Sequence, residues 1–297
     1  MIIFTSALVI LLIISTIFFG FYVFLVALVA ILCAFIVEIV FVKIRKVEFD
    51  KFFVISPLVL TMMMPPRIEL WVVAVGSLFG VFFGKAVFGG YGKNVFNPAV
   101  VGVLFVTISF PSLVTAANWI HPSIDGFSGA TPLSMLNSGG DFTYLFKDLL
   151  LGNVPGSIGE TFRLGIIIIG VVLIVLKVID WRIPSVYLLS MFILTGIGYL
   201  ISPTSFPNPI LSLFVGGLLF AAFFVATDPI TSPINPKGKI FFAIGLAFFT
   251  ILIRYFATFQ EGIVFAIIIM NAIAPLIDDG LEKNNDVKAN LEEEVSQ

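Results

Sequence analysis

The chain has 297 residues, of which 59% are hydrophobic and 11% charged, and its mean hydropathy is +1.14. Because a soluble domain carries about a quarter charged residues, this composition excludes a soluble globular enzyme and predicts an all-α integral membrane protein. The net charge is −2, and the sequence contains no basic face that could bind nucleic acid. One cysteine (Cys33) and one histidine (His121) are too few for an iron–sulfur cluster or zinc site within the chain.

Ten apolar stretches approach or reach the length of about 20 residues that a spanning helix requires. The first has no basic segment before it and no small-residue cleavage site, so it is interpreted as a span and not as a signal peptide. The third is short and ends in TMMMPP, which is typical of a broken helix. The predicted spans lie near residues 1–19, 21–42, 53–64, 69–89, 95–114, 163–180, 184–201, 208–226, 239–256 and 260–277.

The distribution of lysine and arginine predicts the orientation of these spans, because cytoplasmic loops carry an excess of both. With a cytoplasmic N-terminus, twelve of the 16 basic residues lie inside and four lie outside, namely Arg67, Lys147, Arg163 and Arg254. Both termini are therefore predicted to be cytoplasmic, including an acidic tail at 278–297. The long segment 115–162 is predicted to be an extracytoplasmic loop.

Ten spans divide into two sets of five, 1–114 and 163–277, which would have inverted orientations. SPLVLTMMMPP and FAAFFVATDP are both apolar runs that stop at a polar turn with proline, and FNPAVVG has a loose counterpart in INPKGK. Interrupted spans in matching positions of two halves indicate a binding site in the membrane interior. The alternative is that these prolines match by chance.

Three glycines spaced four apart, Gly76, Gly80 and Gly84, lie on one face of the fourth predicted span. Such a face allows a second helix to approach closely. The same gap could also admit a flat ring.

Two of the acidic residues in or near the predicted spans are candidates for a function. Glu38 is near the end of the second span, where it either reaches the cytoplasmic edge or contributes to an ion path. Asp228 follows an apolar run and is flanked by Thr227 and Thr231. It either caps a helix that begins at Pro229 or presents polar groups to a ligand.

The stretch DGFSGATPL places one threonine, Thr131, among small residues in the predicted outer loop. Thr131 followed by Pro132 is typical of a helix N-cap with proline at the first helical position. Alternatively, Gly126, Gly129 and Ala130 leave the hydroxyl open to enzymatic modification. The two interpretations are compatible, since a helix N-terminus also favours a phosphate.

DGFSGATPL resembles the Ser-Gly-Ala-Thr motif at which flavin mononucleotide (FMN) is esterified to threonine in redox-driven ion pumps. KAVFGGYGKNVFNPAVVG and FFVATDPITSPINPKGK resemble two further signature stretches of the same family. The three motifs occur in the family's order over almost the whole chain. The chain thus resembles the D subunit of the Rnf complex and the related B subunit of the sodium-translocating NADH:quinone reductase, and its modest length is closer to the Rnf protein.

This resemblance implies a bundle of ten helices in two inverted five-helix repeats, similar to ammonium and urea channels. It implies covalent FMN on Thr131, facing outward, with Ser128, Gly129, Ala130 and Leu133 as the recognition context. It also implies a second, non-covalent flavin, riboflavin, near the broken helices. The motif members expected to line that flavin or a cavity are Asn97, Pro98, Asp228, Pro229 and Thr231.

The implied function is that of a membrane flavoprotein subunit which is not active alone. In the Rnf complex, electron transfer from ferredoxin to NAD is coupled to export of Na⁺ or H⁺ across the prokaryotic inner membrane. The implied partners are Rnf subunits A, B, C, E and G and a flavin transferase. The alternatives are the B subunit of the quinone reductase, a cofactor-free channel or transporter, and an assembly scaffold without flavin.

Overall fold

The computed structural model describes residues 1–114, 119–122, 129–137, 144–203, 205–257 and 261–295, with the backbone alone for Asn137 and for residues 284–295. Its first half contains α1 (Ile2–Phe19), α2 (Tyr22–Arg45), α3 (Ile55–Met62), α4 (Leu70–Val81), α5 (Pro98–Ser109) and α6 (Pro111–Val114). Two short helices follow, α7 (Pro132–Asn137) and α8 (Phe146–Leu151).

The second half contains α9 (Arg163–Val175), α10 (Arg182–Ile201), α11 (Pro209–Phe214), α12 (Leu218–Phe220), α13 (Pro236–Phe256) and α14 (Ile263–Val295). Two five-residue π-helical turns, 82–86 and 221–225, continue α4 and α12.

Within the described residues, five helices are long and apolar enough to cross a membrane. They are α1, α2, α10, α13 and the part of α14 from Ile263 to Lys283. The remaining predicted spans contain shorter or interrupted helices, so each of the ten apolar stretches is helical at least in part. The predicted all-α membrane protein is confirmed.

The two halves share an order of packing. In the first half α2 packs on α3 and α4, and α4 packs on α5; in the second, α10 packs on α11 and α13, and α13 packs on α14. FNPAVVG and INPKGK both form helix starts of the same kind, in which an asparagine, Asn97 or Asn235, caps the helix and a proline follows it. The division into two inverted five-helix repeats stays a prediction.

The broken end of α3 is completed by a segment that folds back into the protein. The carbonyls of Met62 and Met64 accept hydrogen bonds from the backbone N–H groups of Gly159 (2.7 Å) and Ile158 (3.0 Å). The whole segment 154–161 is buried, although it belongs to the predicted extracytoplasmic loop. Because unsatisfied backbone groups are costly inside a membrane protein, this pairing allows α3 to stop after eight residues.

The glycine face of α4 packs directly against α5. A Cβ atom on Gly76 would lie 2.6 Å from Val106 Cγ2, and one on Gly84 would lie 2.7 Å from Pro98 Cα. A Cβ on Gly80 would collide with the Pro98 carbonyl oxygen. The helix-packing interpretation of these glycines is therefore confirmed, and α5 fills the gap that a flat ring would require.

A methyl group at this contact is expected to destabilise the protein. Gly80→Ala should cost about 1–3 kcal/mol, because backbone atoms of α5 cannot move without shifting the helix. Gly196→Ala in α10 is the matched control, since its Cβ would meet only Pro209 Cγ at an ordinary 3.6 Å. Thermal unfolding in detergent measures both variants. Equal melting temperatures for the two would contradict the close approach of α4 and α5.

Candidate functional site

Thr131 caps the short helix α7. Its Oγ1 accepts a hydrogen bond from the backbone N–H of Ser134 at 3.2 Å, and its carbonyl accepts one from the N–H of Met135 at 3.0 Å. Pro132 occupies the first helical position, as the sequence predicts. The residue is 9% exposed. The predicted N-cap is confirmed, and the hydroxyl oxygen is held at the start of a helix.

The residues around Thr131 differ in their exposure. Ala130 is exposed, while Leu133 is buried and anchors α7 in the protein. The N–H of Gly129 donates a hydrogen bond to the Trp119 carbonyl at 3.2 Å. This bond connects the residues just before Thr131 to a second loop segment. Ser128, the remaining member of the predicted recognition context, lies outside the described residues.

The other motif residues converge on an internal cavity. Asn97, Pro98, Asp228 and Pro229 all line it. The cavity has a volume of about 720 Å³, which includes space that is open to solvent. The structure brings together two motifs that lie more than a hundred residues apart.

Asp228 connects these two motifs. Its Oδ2 accepts hydrogen bonds from Asn97 Nδ2 at 3.2 Å and Thr231 Oγ1 at 3.1 Å, and its Oδ1 accepts one from the N–H of Ile230 at 3.2 Å. No helix begins at Asp228, so the N-cap interpretation is wrong for this residue. The cap of α13 is Asn235, whose side chain accepts from the N–H of Lys237. Asp228 instead fixes a turn and faces the cavity.

A third residue, Asn271, completes this network. Its Oδ1 accepts a hydrogen bond from the N–H of Asn97 at 3.2 Å, and its Nδ2 donates to the Thr231 carbonyl at 3.0 Å. Asn97 in turn caps α5 by accepting from the N–H of Ala99 at 3.0 Å. Sequence reasoning missed Asn271, although an amide within the apolar run IIIMNAIAP is a signal for a buried polar contact.

Glu38 forms a buried ionic triad with two residues that the sequence analysis did not select. Lys85 Nζ lies 3.0 Å from Glu38 Oε2 and 2.6 Å from Asp50 Oδ2, and each of the three side chains is 6% exposed. Glu38 is therefore buried in an ion pair and is only 5% exposed. Lys85 and Asp50 line the cavity, so the triad forms one of its walls.

The remaining walls are mostly apolar and aromatic. Phe4, Phe52 and Phe224 contribute rings, and the Tyr91 ring centroid lies 5.9 Å from Lys85 Nζ. Aromatic walls with a few convergent amide, carboxylate and ammonium groups are suited to a flat heterocycle with polar edges. The described residues contain no group of three or more histidine, cysteine, aspartate or glutamate side chains that could hold a metal ion.

The fold and these two sites define an all-helical membrane protein with interrupted helices, an internal cavity between its halves and a capped threonine at a separate surface. Residues 1–285 match the NQR2, RnfD, RnfE family, and the chain belongs to that family.

Two kinds of relative are similar to the chain. It is 30% identical to the D subunit of the ion-translocating oxidoreductase complex of Shewanella frigidimarina, over 89% of this chain and 87% of that protein. It is 38% identical to the B subunit of the Na⁺-translocating NADH-quinone reductase of Ectopseudomonas mendocina and 37% identical to that of Azotobacter vinelandii. Both of those matches cover 81% of this chain but 62% of the relative's length. The chain is thus similar to a membrane subunit of an ion-translocating oxidoreductase complex.

Proposed function

We propose that this chain is the flavin-carrying membrane subunit of an Rnf-type ion-translocating oxidoreductase, with FMN attached covalently to Thr131. The observation that carries the proposal is the Ser-Gly-Ala-Thr sequence at the start of α7 in a member of this family. The match to the Shewanella relative extends over 89% of this chain, against 81% for the quinone-reductase relatives, and supports the Rnf type.

The residues at Thr131 fit a phosphate ester. The Oγ1 atom already accepts a hydrogen bond from the N–H of Ser134, an interaction that an ester oxygen can retain. Ala130 is exposed beside it, and Gly129 carries no side chain that would obstruct the hydroxyl. Leu133 and Pro132 are buried and Thr131 is itself only 9% exposed, so the attachment point is fixed to the protein.

The residues that line the cavity suit the polar edges and flat faces of a second flavin. Asn97, Lys85 and Asp228 provide donors and acceptors for the polar atoms of a ring system, and Phe52 and Phe224 provide flat apolar walls. Riboflavin is therefore proposed as the ligand, with Asn97, Pro98, Asp228 and Pro229 in contact and Thr231 holding Asp228.

A bound flavin supplies the capacity to accept and donate electrons one or two at a time, while the protein supplies position and electrostatics. Asn97, Asp228 and Asn271 hold the two motif loops in one arrangement. Lys85 holds two carboxylates beside the cavity and limits the negative charge that reaches it. Leu133 fixes α7, and with it the attachment residue, to the membrane domain.

The proposed flavins exchange electrons with other subunits of the complex. The proposed partners are Rnf subunits A, B, C, E and G and a flavin transferase that acts on Thr131. The proposed location is the prokaryotic inner membrane, with both termini cytoplasmic and Thr131 outside. Glu38 is proposed as a member of the ion path, through its contact with Lys85 at the cavity wall.

Covalent flavin gives the direct test. The wild-type chain and Thr131→Ala, each expressed with the transferase, are compared on a denaturing gel under ultraviolet light. We expect a fluorescent wild-type band, a dark mutant band and a wild-type Thr131 peptide heavier by one FMN less one water. Ser134→Ala, which leaves the Thr131 hydroxyl in place, is the control. A dark wild-type band, with the transferase shown to label another substrate, would leave Thr131 a helix cap and favour a cofactor-free transporter.

The B subunit of a sodium-translocating quinone reductase is the second candidate, because identity to those relatives reaches 38%. Both candidates predict flavin on Thr131. Membranes that contain the assembled complex distinguish them: ferredoxin-dependent NAD reduction is expected for the Rnf type, and NADH-dependent quinone reduction for the other.

A further inference from the structure

Three segments meet at Gly216, in the break between α11 and α12. A Cβ on this glycine would lie 2.8 Å from Leu133 Cδ2, 3.1 Å from Arg254 Nη2 and 3.1 Å from Glu261 Oε2. Its φ of +68° suits glycine, and any side chain would displace all three neighbours. Leu133, in the helix α7 that begins after Thr131, therefore packs at Gly216 beside the side chains of Arg254 and Glu261.

The carboxylate of Glu261 makes few hydrogen bonds with the described residues. Among the described residues its carboxylate accepts one long hydrogen bond, from the N–H of Gly217 at 3.4 Å, and no lysine or arginine nitrogen lies within 4.0 Å of it. By contrast, Glu160 is fully engaged with Arg163 Nη2 at 3.1 Å and with Ser157. Of the two carboxylates, Glu261 thus has the fewer hydrogen-bond partners.

The position of Glu261 is set by the tight connection between α13 and α14. Gly262 has a φ of +55°, and a Cβ there would lie 2.9 Å from the Thr250 carbonyl oxygen and 3.1 Å from the Arg254 nitrogen. The chain therefore folds closely over the end of α13 and directs Glu261 back toward Gly216. Its carboxylate lies between the two membrane helices and the outer loops, outside either span.

The charged and titratable groups that face Glu261 are Glu160, Arg163, Arg254 and the phenol of Tyr187. Burial raises the pKa of Glu261, the negative charge of Glu160 acts in the same direction, and the resulting pKa is about 7. Arg254, the N–H of Gly217 and Arg163 act in the opposite direction but do not cancel the effect of burial. At neutral pH this carboxyl is poised between its two protonation states.

We propose that Glu261 is a redox-linked proton site: it binds a proton from the outer solution when negative charge arrives at the Thr131 site and releases that proton when the charge leaves. This inference rests on the proposed flavin at Thr131. It assigns to Glu261 the compensation of the negative charge that arrives there. The electron comes from a one-electron donor protein of the complex, and the proton comes from water. A hydronium ion of the solution gives up this proton, so one of its O–H bonds breaks and a water molecule remains, while the carboxylate gains one O–H bond.

The contact through Leu133 gives the physical reason for this coupling. Thr131 lies two residues before Leu133, whose side chain shares the Gly216 contact with Glu261. One charge about 10 Å away, at an effective dielectric constant of about 20, shifts a pKa by about one unit. A group that is half protonated responds most strongly to such a shift. By linkage, the bound proton also makes arrival of the electron more favourable.

The first test needs no flavin. Melting temperatures of Thr131→Ala and of Thr131→Ala/Glu261→Gln are measured from pH 5 to pH 8. Because the folded pKa lies above the ordinary value of about 4.5, the folded state binds more protons than the unfolded state between these values, and stability falls as pH rises. As the pH rises from 5 to 7, the melting temperature of Thr131→Ala/Glu261→Gln should therefore fall less than that of Thr131→Ala. Exposed Glu282→Gln should show no such trend, and the same flat result at Glu261 would overturn the proposal.

The second test detects coupling to the flavin. Infrared spectra of the flavin-loaded protein at pH 7 are recorded before and after reduction. A shift of one pKa unit predicts a gain of about 0.4 protonated carboxyl per protein. This gain should be absent in Glu261→Gln and in Thr131→Ala; the latter keeps Glu261 and serves if the glutamine variant does not fold. Covalent flavin without the carboxyl gain would overturn the proton site alone, whereas absence of covalent flavin would overturn the proposed function as well.

Discussion

Lys85→Met should lower the free energy of unfolding by about 3–5 kcal/mol, the usual effect of removing one partner from a buried ion pair. Lys85 lies 3.0 Å from Glu38 and 2.6 Å from Asp50 in a site where each side chain is 6% exposed. Methionine fills much the same volume, so the loss of charge dominates. Two carboxylates would then remain buried side by side without a cation.

A thiol-reactive dye in detergent can report this unfolding, because Cys33 is the single cysteine and is only half-buried. Exposed Lys93→Met, on the turn that follows the same helix, is the matched control. The triple variant Glu38→Gln/Asp50→Asn/Lys85→Met should recover most of the loss, since no charge stays unpaired. A melting temperature for Lys85→Met equal to that of the control would show that the triad is not formed.

The all-helical membrane fold could be predicted because hydropathy alone locates apolar stretches. Each of the ten stretches contains a helix, and the Thr131–Pro132 cap followed from local chemistry. The glycine face at 76, 80 and 84 was also predictable, since helical spacing decides which side chains share a face.

The long-range polar contacts could not be predicted in this way. Lys85 joins Glu38 and Asp50 across 47 and 35 positions, and Asn97 joins Asp228 across 131. No periodicity encodes such pairs. The buried segment 154–161 was also missed, because its glycines and polar residues are typical of an exposed loop. Its burial depends on the unpaired carbonyls at the end of α3, a partner almost a hundred residues away.

Asp228 shows how local chemistry can mislead. An aspartate followed by proline is typical of a helix start, yet α13 begins eight residues later, at Pro236. Asp228 instead accepts hydrogen bonds from Asn97 and Thr231 and from the N–H of Ile230. The competing interaction is tertiary. The side-chain amide of Asn97, from the first half, donates to the Asp228 carboxylate, which therefore does not cap a helix.

Removal of that carboxylate should empty the second flavin site. Asp228→Ala takes away the acceptor that joins the two motif loops and one polar contact in the cavity. A hydrogen bond to a charged group contributes about 1.5–3 kcal/mol, and each 1.4 kcal/mol is tenfold in affinity. We therefore expect riboflavin affinity to fall at least tenfold, while covalent FMN on Thr131 is unchanged.

Acid extraction followed by chromatography measures the non-covalent riboflavin, and gel fluorescence measures the covalent FMN in the same sample. Asp279→Ala, at an exposed aspartate near the end of the last span, is the control for a lost negative charge. Wild-type protein without extractable riboflavin would refute the second site altogether. Full riboflavin content in Asp228→Ala would place the ligand elsewhere. Selective loss in Asp228→Ala would locate it between Asn97 and Asp228, where the structure joins the two halves of the chain.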